Sequence, residues 1–208
     1  MSDTKKILIQ TALKLFAQKG IGNVQAKEIA LTAGAVPNAI TYHFGGIDGL
    51  LDAVWLYAFE QFDYVKLENY YQNNRHLLTS SDGKRQFVTE LVGILFDLIS
   101  GDEKSSTVNL FLMTAGVTES GQQKIKEHIS SAIVNILMQI YMDISGNNDI
   151  ESAFAWTLSL AGAAVLHSVN AELFTPVFPD EKIPASCYGR IQYITTRNAL
   201  FSLGLLPE

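Results

Sequence analysis

The segment QAKEIALTAGAVPNAITYHF, residues 25–44, constrains this chain more than any other. Ala26, Ile29, Ala30 and Ala33 recur at i, i+3, i+4 and i+7, the spacing of a short helix with one buried face. Gly34 follows directly, and a residue without a Cβ is suited to the left-handed conformation that closes a helix. The turn Gly34-Ala35-Val36 leads to Pro37, whose missing N–H suits the first position of a new helix. Ile40 and Phe44 then share one face and leave Asn38, Thr41, Tyr42 and His43 to point outward. Helix, tight glycine turn and short polar-tipped helix outline a helix-turn-helix, whose second helix enters the major groove of DNA.

Around this outline a longer pattern appears. Ile7 and Leu8, Ala12, Leu15-Phe16-Ala17, Gly20, Ile29-Ala30, Ala33-Gly34, Ile40, His43-Phe44 and Leu50-Leu51 resemble the DNA-binding domain of the tetracycline-repressor (TetR) family of bacterial transcription factors. The match runs without a gap from Phe16 through Phe44 and covers about the first quarter of the chain; beyond Tyr57 only the helical layout is similar. The resemblance implies an all-α protein: a three-helix helix-turn-helix domain over residues 1–46, then a helical ligand-binding and dimerisation domain over 47–208, about nine helices in all. It implies a ligand-responsive transcriptional regulator, a repressor that binds a palindromic double-stranded DNA operator and is released by a small apolar effector.

Carried over residue by residue, the resemblance places Lys27 beside the DNA backbone and Gln25 where a hydroxyl is usual. Pro37, Asn38 and Thr41 would face base edges, while Tyr42 and His43 would hold phosphates. Asn38 is the strongest base reader, because an amide both donates and accepts. Tyr42 and His43 could instead pack the domain edge, and Pro37 could serve only to start its helix. The chain departs from the family at Val36, where a Ser or Thr is frequent, at Thr41, where a Tyr is common, and at Ile47, where a Lys usually meets phosphate. These departures keep a second reading open: a ligand-sensing or partner-binding dimer with degenerate DNA binding.

Charge bears on this choice. The net charge of −6 is unevenly divided. Residues 1–50 carry Lys5, Lys6, Lys14, Lys19 and Lys27 against Asp3, Glu28 and Asp48, a net +2, whereas residues 51–208 hold ten bases and eighteen acids, a net −8. DNA is thereby drawn to the N-terminal part and repelled by the rest. Hydrophobic content of 48% with 17% charged residues describes a core-rich globular chain. The single Cys187 excludes an internal disulfide and a cysteine metal cluster, which suits a reducing cytoplasm. Met1-Ser2-Asp3 opens with no apolar leader, and the longest apolar run, Ala153–Leu166, falls short of the ~20 residues that span a bilayer. A cytoplasmic protein without membrane association is expected.

In chain order, a first helix to about Lys19 buries Ile7, Leu8, Ala12, Leu15 and Phe16. After the helix-turn-helix, Gly45-Gly46 breaks the chain, and a long helix from Ile47, with Leu50, Leu51, Val54, Trp55, Ala58, Phe59 and Phe62 on one face, is expected to run on as a rigid connector. The polar residues 69–83 should end it. Helices over 84–99, 107–117, 119–144, 150–174 and 185–203 follow, the second nearly all apolar and so expected at the centre of the bundle. Thr175–Pro184 reads as an extended connector.

Aromatic residues with a few polar neighbours mark the candidate ligand pocket: Trp55, Phe59, Phe62, Phe96, Phe111, Thr114, Trp156 and His167. An aromatic stripe at helical spacing equally describes core, and His167, between Leu166 and Ser168, also fits a core or interface histidine. A homodimer through the last two helices is expected. The Ala-Gly-Ala-Ala run at 161–164 and Tyr188, Ile191, Ile194 and Leu200 offer close-packing surfaces, and two recognition helices read a palindrome that one cannot. Nothing points to an enzyme, a cofactor or a metal. The histidines at 43, 76, 128 and 167 lie in no Glu-x-x-His spacing, and G-x-S-x-G and a phosphate-cradling glycine loop are both absent.

Overall fold

A computed structural model describes residues 3–62, 64–100, 103–169 and 185–206. Among them there is no strand, and the chain is all-α. It divides into two compact units, each made of two stretches of chain: Met1–Asp63 with Glu103–His128, and Tyr64–Asp102 with Ile129–Glu208.

The first unit is built on α1 (Asp3–Lys19), which buries Leu8, Ile9, Ala12, Leu13, Leu15, Phe16 and Ala17. Packed with it are α2 (Ala26–Thr32), α3 (Ala39–Phe44), α4 (Ile47–Gln61), α7 (Glu103–Ala115) and α8 (Glu119–Ile125). α2 ends in a Schellman motif: Ala35 N–H reaches Ala30 O at 2.9 Å and Gly34 N–H reaches Leu31 O at 3.1 Å, with Gly34 at φ +65°. This closure is what the glycine at that position supplies. α3 begins at Ala39, two residues later than proline placement suggests, because Val36–Ala39 forms a turn closed by Ala39 N–H to Val36 O at 2.9 Å. α7 does not sit at the centre of a bundle. It buries Val108, Phe111, Leu112 and Ala115, leaves Met113 exposed, and packs on α1 and α4, where Thr114 Oγ1 donates to Ala17 O at 3.2 Å.

The junction of α3 and α4 is close. A Cβ on Gly49 would lie 2.0 Å from the Phe44 carbonyl oxygen, a separation no methyl group tolerates. Gly49→Ala is therefore expected to lower stability by about 1–3 kcal/mol through overpacking, which a urea titration of the variant against the parent measures.

In the second unit, α6 (Ser81–Ser100), α9 (Ser131–Ser145), α10 (Ile150–Val169) and α11 (Ala185–Ser202) surround one apolar core with α5 (Val65–Asn74) against its side. Phe87, Leu91, Leu95 and Leu98 of α6 face inward as their spacing predicts, meeting Leu137, Ile140, Trp156 and Leu160 in that core. Among the described residues, no buried side-chain polar atom lacks a hydrogen-bond partner. Trp156 Nε1–H donates to Ala199 O at 3.3 Å, joining α10 to α11, and the Lys84 ammonium caps the last turn of α9 through Ile144 O at 2.7 Å. Tyr71 donates to Asp143 at 2.5 Å between α5 and α9, and burial, reinforced by that carboxylate, pushes its hydroxyl up to about 12.

Several helix limits differ from their sequence expectation. The helix from Ile47 is not a long connector: it stops at Gln61, where Phe62 takes φ −85° and ψ +80°, and a new helix starts at Val65. Neither glycine nor proline marks the break. Phe62 is buried in the first unit and Leu67 and Tyr71 in the core of the second, so the helix is interrupted where the chain passes from one core to the other. The 119–144 helix is likewise divided, by a π turn over Lys126–Ser130 that falls where the chain passes from the first unit to the second. α6 starts at Ser81, because Ser80 Oγ accepts from Gly83 N–H at 3.1 Å, an N-cap in a segment expected to be loop. α7 starts at Glu103, four residues before the Thr107 that periodicity suggests. The 175–184 connector lies outside the described residues.

Candidate nucleic-acid interface

The geometry of the helix-turn-helix follows from which of its residues are tied down. Ile29 and Ala30 of α2 and Ala39 and Ile40 of α3 are buried, and these four anchor both helices to the rest of the unit. Lys19 pairs with Glu28, tying α1 to α2, and the Lys5 ammonium lies 5.9 Å from the Phe44 ring centroid, tying the start of α1 to the end of α3. What is left outward is a polar and apolar face. Gln25, Lys27, Pro37, Asn38 and Thr41 are exposed, and Tyr42 is 84% exposed. His43 is half-buried, its ring edge-on to Tyr42 at 4.8 Å between centroids. The Asn38 side chain makes no cap bond to the helix it precedes.

A groove of about 580 Å³ runs along this face, lined by Thr4, Ile7 and Leu8 of α1, the turn residues Ala33–Val36, and Asn38, Ala39, Tyr42 and His43. Two of its walls were not expected from sequence. Ile7 is assigned by its spacing to the buried stripe of α1, yet it is 47% exposed and lines the groove. Thr4 brings a hydroxyl from α1 to the same place. Only the way α1 and the turn before α3 line one groove could have revealed either. All seven candidate DNA-contacting positions lie in the first unit, and three of them, Asn38, Tyr42 and His43, line the groove beside aliphatic side chains.

The candidate pocket residues are distributed differently. Five fall in the first unit. Trp55 packs on Phe111 at 4.8 Å and on Phe59 at 5.5 Å between ring centroids, Phe62 is buried, and Thr114 is engaged with Ala17. Phe59 also stacks on His128, the rings 4.4 Å apart and within 2° of parallel, with His128 Nδ1 3.0 Å from Lys124 O. Nothing in the sequence signals that pairing, since 69 positions separate the two residues. Phe96 and Trp156 lie in the core of the second unit. His167 lies outside the residues whose side chains are described. Among the described residues, no three His, Cys, Asp or Glu side chains are placed to hold a metal ion, and no helix is long and apolar enough to cross a membrane.

Comparison with known proteins adds three findings. Residues 8–54 match the family model of bacterial regulatory proteins, tetR family. The chain is 25% identical over 144 residues to the uncharacterized HTH-type transcriptional regulator YuxN of Bacillus subtilis, an alignment covering 68% of this chain and 47% of the relative, so the chain spans about half the length of that relative. Its fold is similar to a tetR-family regulatory protein from Rhodococcus RHA1 (TM-score 0.61, 15% identity, 99% of this chain and 97% of the other). It is also similar to a TetR-family member from Streptomyces coelicolor A3 (0.58, 19%, 100% of both). A third match is the fatty acid degradation regulator FadR from Bacillus halodurans (0.56, 14%, 94% and 96%).

Proposed function

We propose that the chain, whose residues 8–54 match the tetR family of bacterial regulatory proteins, is a cytoplasmic repressor that binds a palindromic operator as a homodimer and leaves it when a small apolar effector binds. The observation that carries this reading is the exposed face of α3 and its preceding turn: Asn38, Thr41 and Tyr42 stand in solvent while Ala39 and Ile40 hold the helix in place. In this reading residues 1–46 form the DNA-reading head and 47–208 the effector-binding and dimerising part. Asn38 and Thr41 address base edges, with Pro37 beside them. Lys27, Tyr42, His43 and Gln25 meet the backbone, positioning the head without specifying sequence.

The dimer is supported by exposed apolar side chains on the last two helices, Phe154 and Leu158 on α10 and Tyr193, Ile194 and Phe201 on α11. Such a set on one pair of adjacent helices is apolar surface that an interface would cover. Of the residues expected there, Tyr188 and Ile194 are exposed, Ile191 is half-buried, and Leu200 turns into the core of its own unit.

Effector release is supported by the aromatic cluster of Trp55, Phe59 and Phe111, which lies in the same unit as the head. α7 packs on both α1 and α4, so a ligand that displaces α7 displaces the head as well. It need favour one arrangement by only a few kcal/mol. One of the fold neighbours is a fatty acid degradation regulator, which favours an aliphatic effector.

The test is a gel shift of the promoter region of the chain's own operon at low salt. Lys27→Ala should bind less tightly, and its slope of log affinity against log salt should fall by about 0.9 for each phosphate left without its ammonium, about two phosphates in a symmetric dimer. Ligand binding with no shift of any DNA would favour the second reading, a ligand-sensing dimer without an operator.

A further inference from the structure

We propose that Val36 reads the 5-methyl group of thymine, so that each half of the operator carries an A·T pair where the turn between α2 and α3 meets the major groove. This rests on the DNA-binding reading above and adds to it the base that is addressed. Val36 is 70% exposed, yet it is aliphatic. It lines the same groove as Asn38, Tyr42 and His43, which places it on the face the head presents to DNA. The turn that carries it is held firmly, by the two Schellman bonds on one side and the Ala39 to Val36 bond on the other. Firm placement matters, because dispersion contacts lose much of their strength over a fraction of an ångström.

The bases offer Val36 one partner. In the major groove the thymine methyl is the apolar group, and the other exposed features are donors and acceptors. Opposite guanine O6 or the cytosine amino group, an isopropyl group strips water from a polar atom and returns no hydrogen bond. Opposite thymine, both surfaces leave water together. Asn38, two residues along the same turn, is exposed and its side chain makes no cap bond, so its amide is placed to address an adenine nearby. The residue that removes a phosphate-binding hydroxyl from the turn thereby supplies base preference in its place.

The experiment uses the 208-residue chain. Duplexes are enriched on it from a random-sequence pool at low salt, then resynthesised with deoxyuridine for thymidine at one symmetric pair of positions at a time. Each exchange removes a methyl group and leaves the hydrogen-bonding edges unchanged. The expected result is one pair of positions where uracil weakens binding by about fourfold per methyl, the worth of burying one methyl-sized group. There Val36→Ala should bind thymine and uracil duplexes equally, with an unfolding midpoint equal to that of the parent. A parent chain indifferent to uracil everywhere, or a Val36→Ala variant that keeps the discrimination or loses all duplexes alike, overturns the assignment while DNA binding stands. A pool that yields no bound duplex removes the DNA-binding reading, and this inference with it.

Discussion

Phe201→Glu should leave the subunit folded, convert the protein to a monomer, and reduce operator affinity by at least about a hundredfold, since even one mismatched base pair costs about 1–3 kcal/mol and a whole half-site is lost. Phe201 is 74% exposed within its own subunit, so a glutamate there meets water and the fold has little to lose. In a two-fold interface the same residue is buried twice, and each copy would enclose a carboxylate with no partner, at several kcal/mol apiece. Sedimentation velocity reports the oligomeric state, circular dichroism the fold, and a gel shift the affinity. A variant that stays dimeric would remove α11 from the interface.

The second large effect concerns the support of the reading head. Phe16→Ala should cost about 3–5 kcal/mol of unfolding free energy, the range for deleting a buried aromatic ring. Phe16 is wholly buried in α1, and α1 packs against α2, α4 and α7. Against a typical total of about 5–15 kcal/mol, such a loss is a large share of stability. DNA binding should fall with it as the folded population shrinks. Tyr42→Ala makes the contrast: at 84% exposure it should leave stability within about 0.5 kcal/mol and weaken binding alone. Urea titrations of both variants, with gel shifts alongside, separate a residue that holds the head from one that the head presents.

The α2–turn–α3 unit was legible in the sequence because its determinants are local. A glycine with positive φ, the burial of Ile29 and Ala30 with Ala26 half-buried on the same face, and an outward Asn38, Thr41 and Tyr42 all depend on residues within a few positions of one another. The inward face of α6, from Phe87 to Leu98, was legible for the same reason. Leu200 and Phe201 were not separable in this way. They are adjacent and equally apolar, and only the direction of the core decides that Leu200 is enclosed and Phe201 exposed.

The amino-acid order by itself determined that this chain is helical, where its glycine turn falls, and which polar side chains of the following short helix stand exposed, because each rests on backbone sterics and helical period over fewer than about ten residues. Tertiary structure alone decided that the helix from Ile47 ends at Phe62, that a π turn divides the helix beginning at Glu119, that α7 joins the same unit as the head, and that Ile7 lines a groove when its spacing points inward. Periodicity states that a helix has a buried face; it carries no record of which distant helix will cover it, and a helix whose chain passes from one core to another is interrupted with no glycine or proline to announce the place.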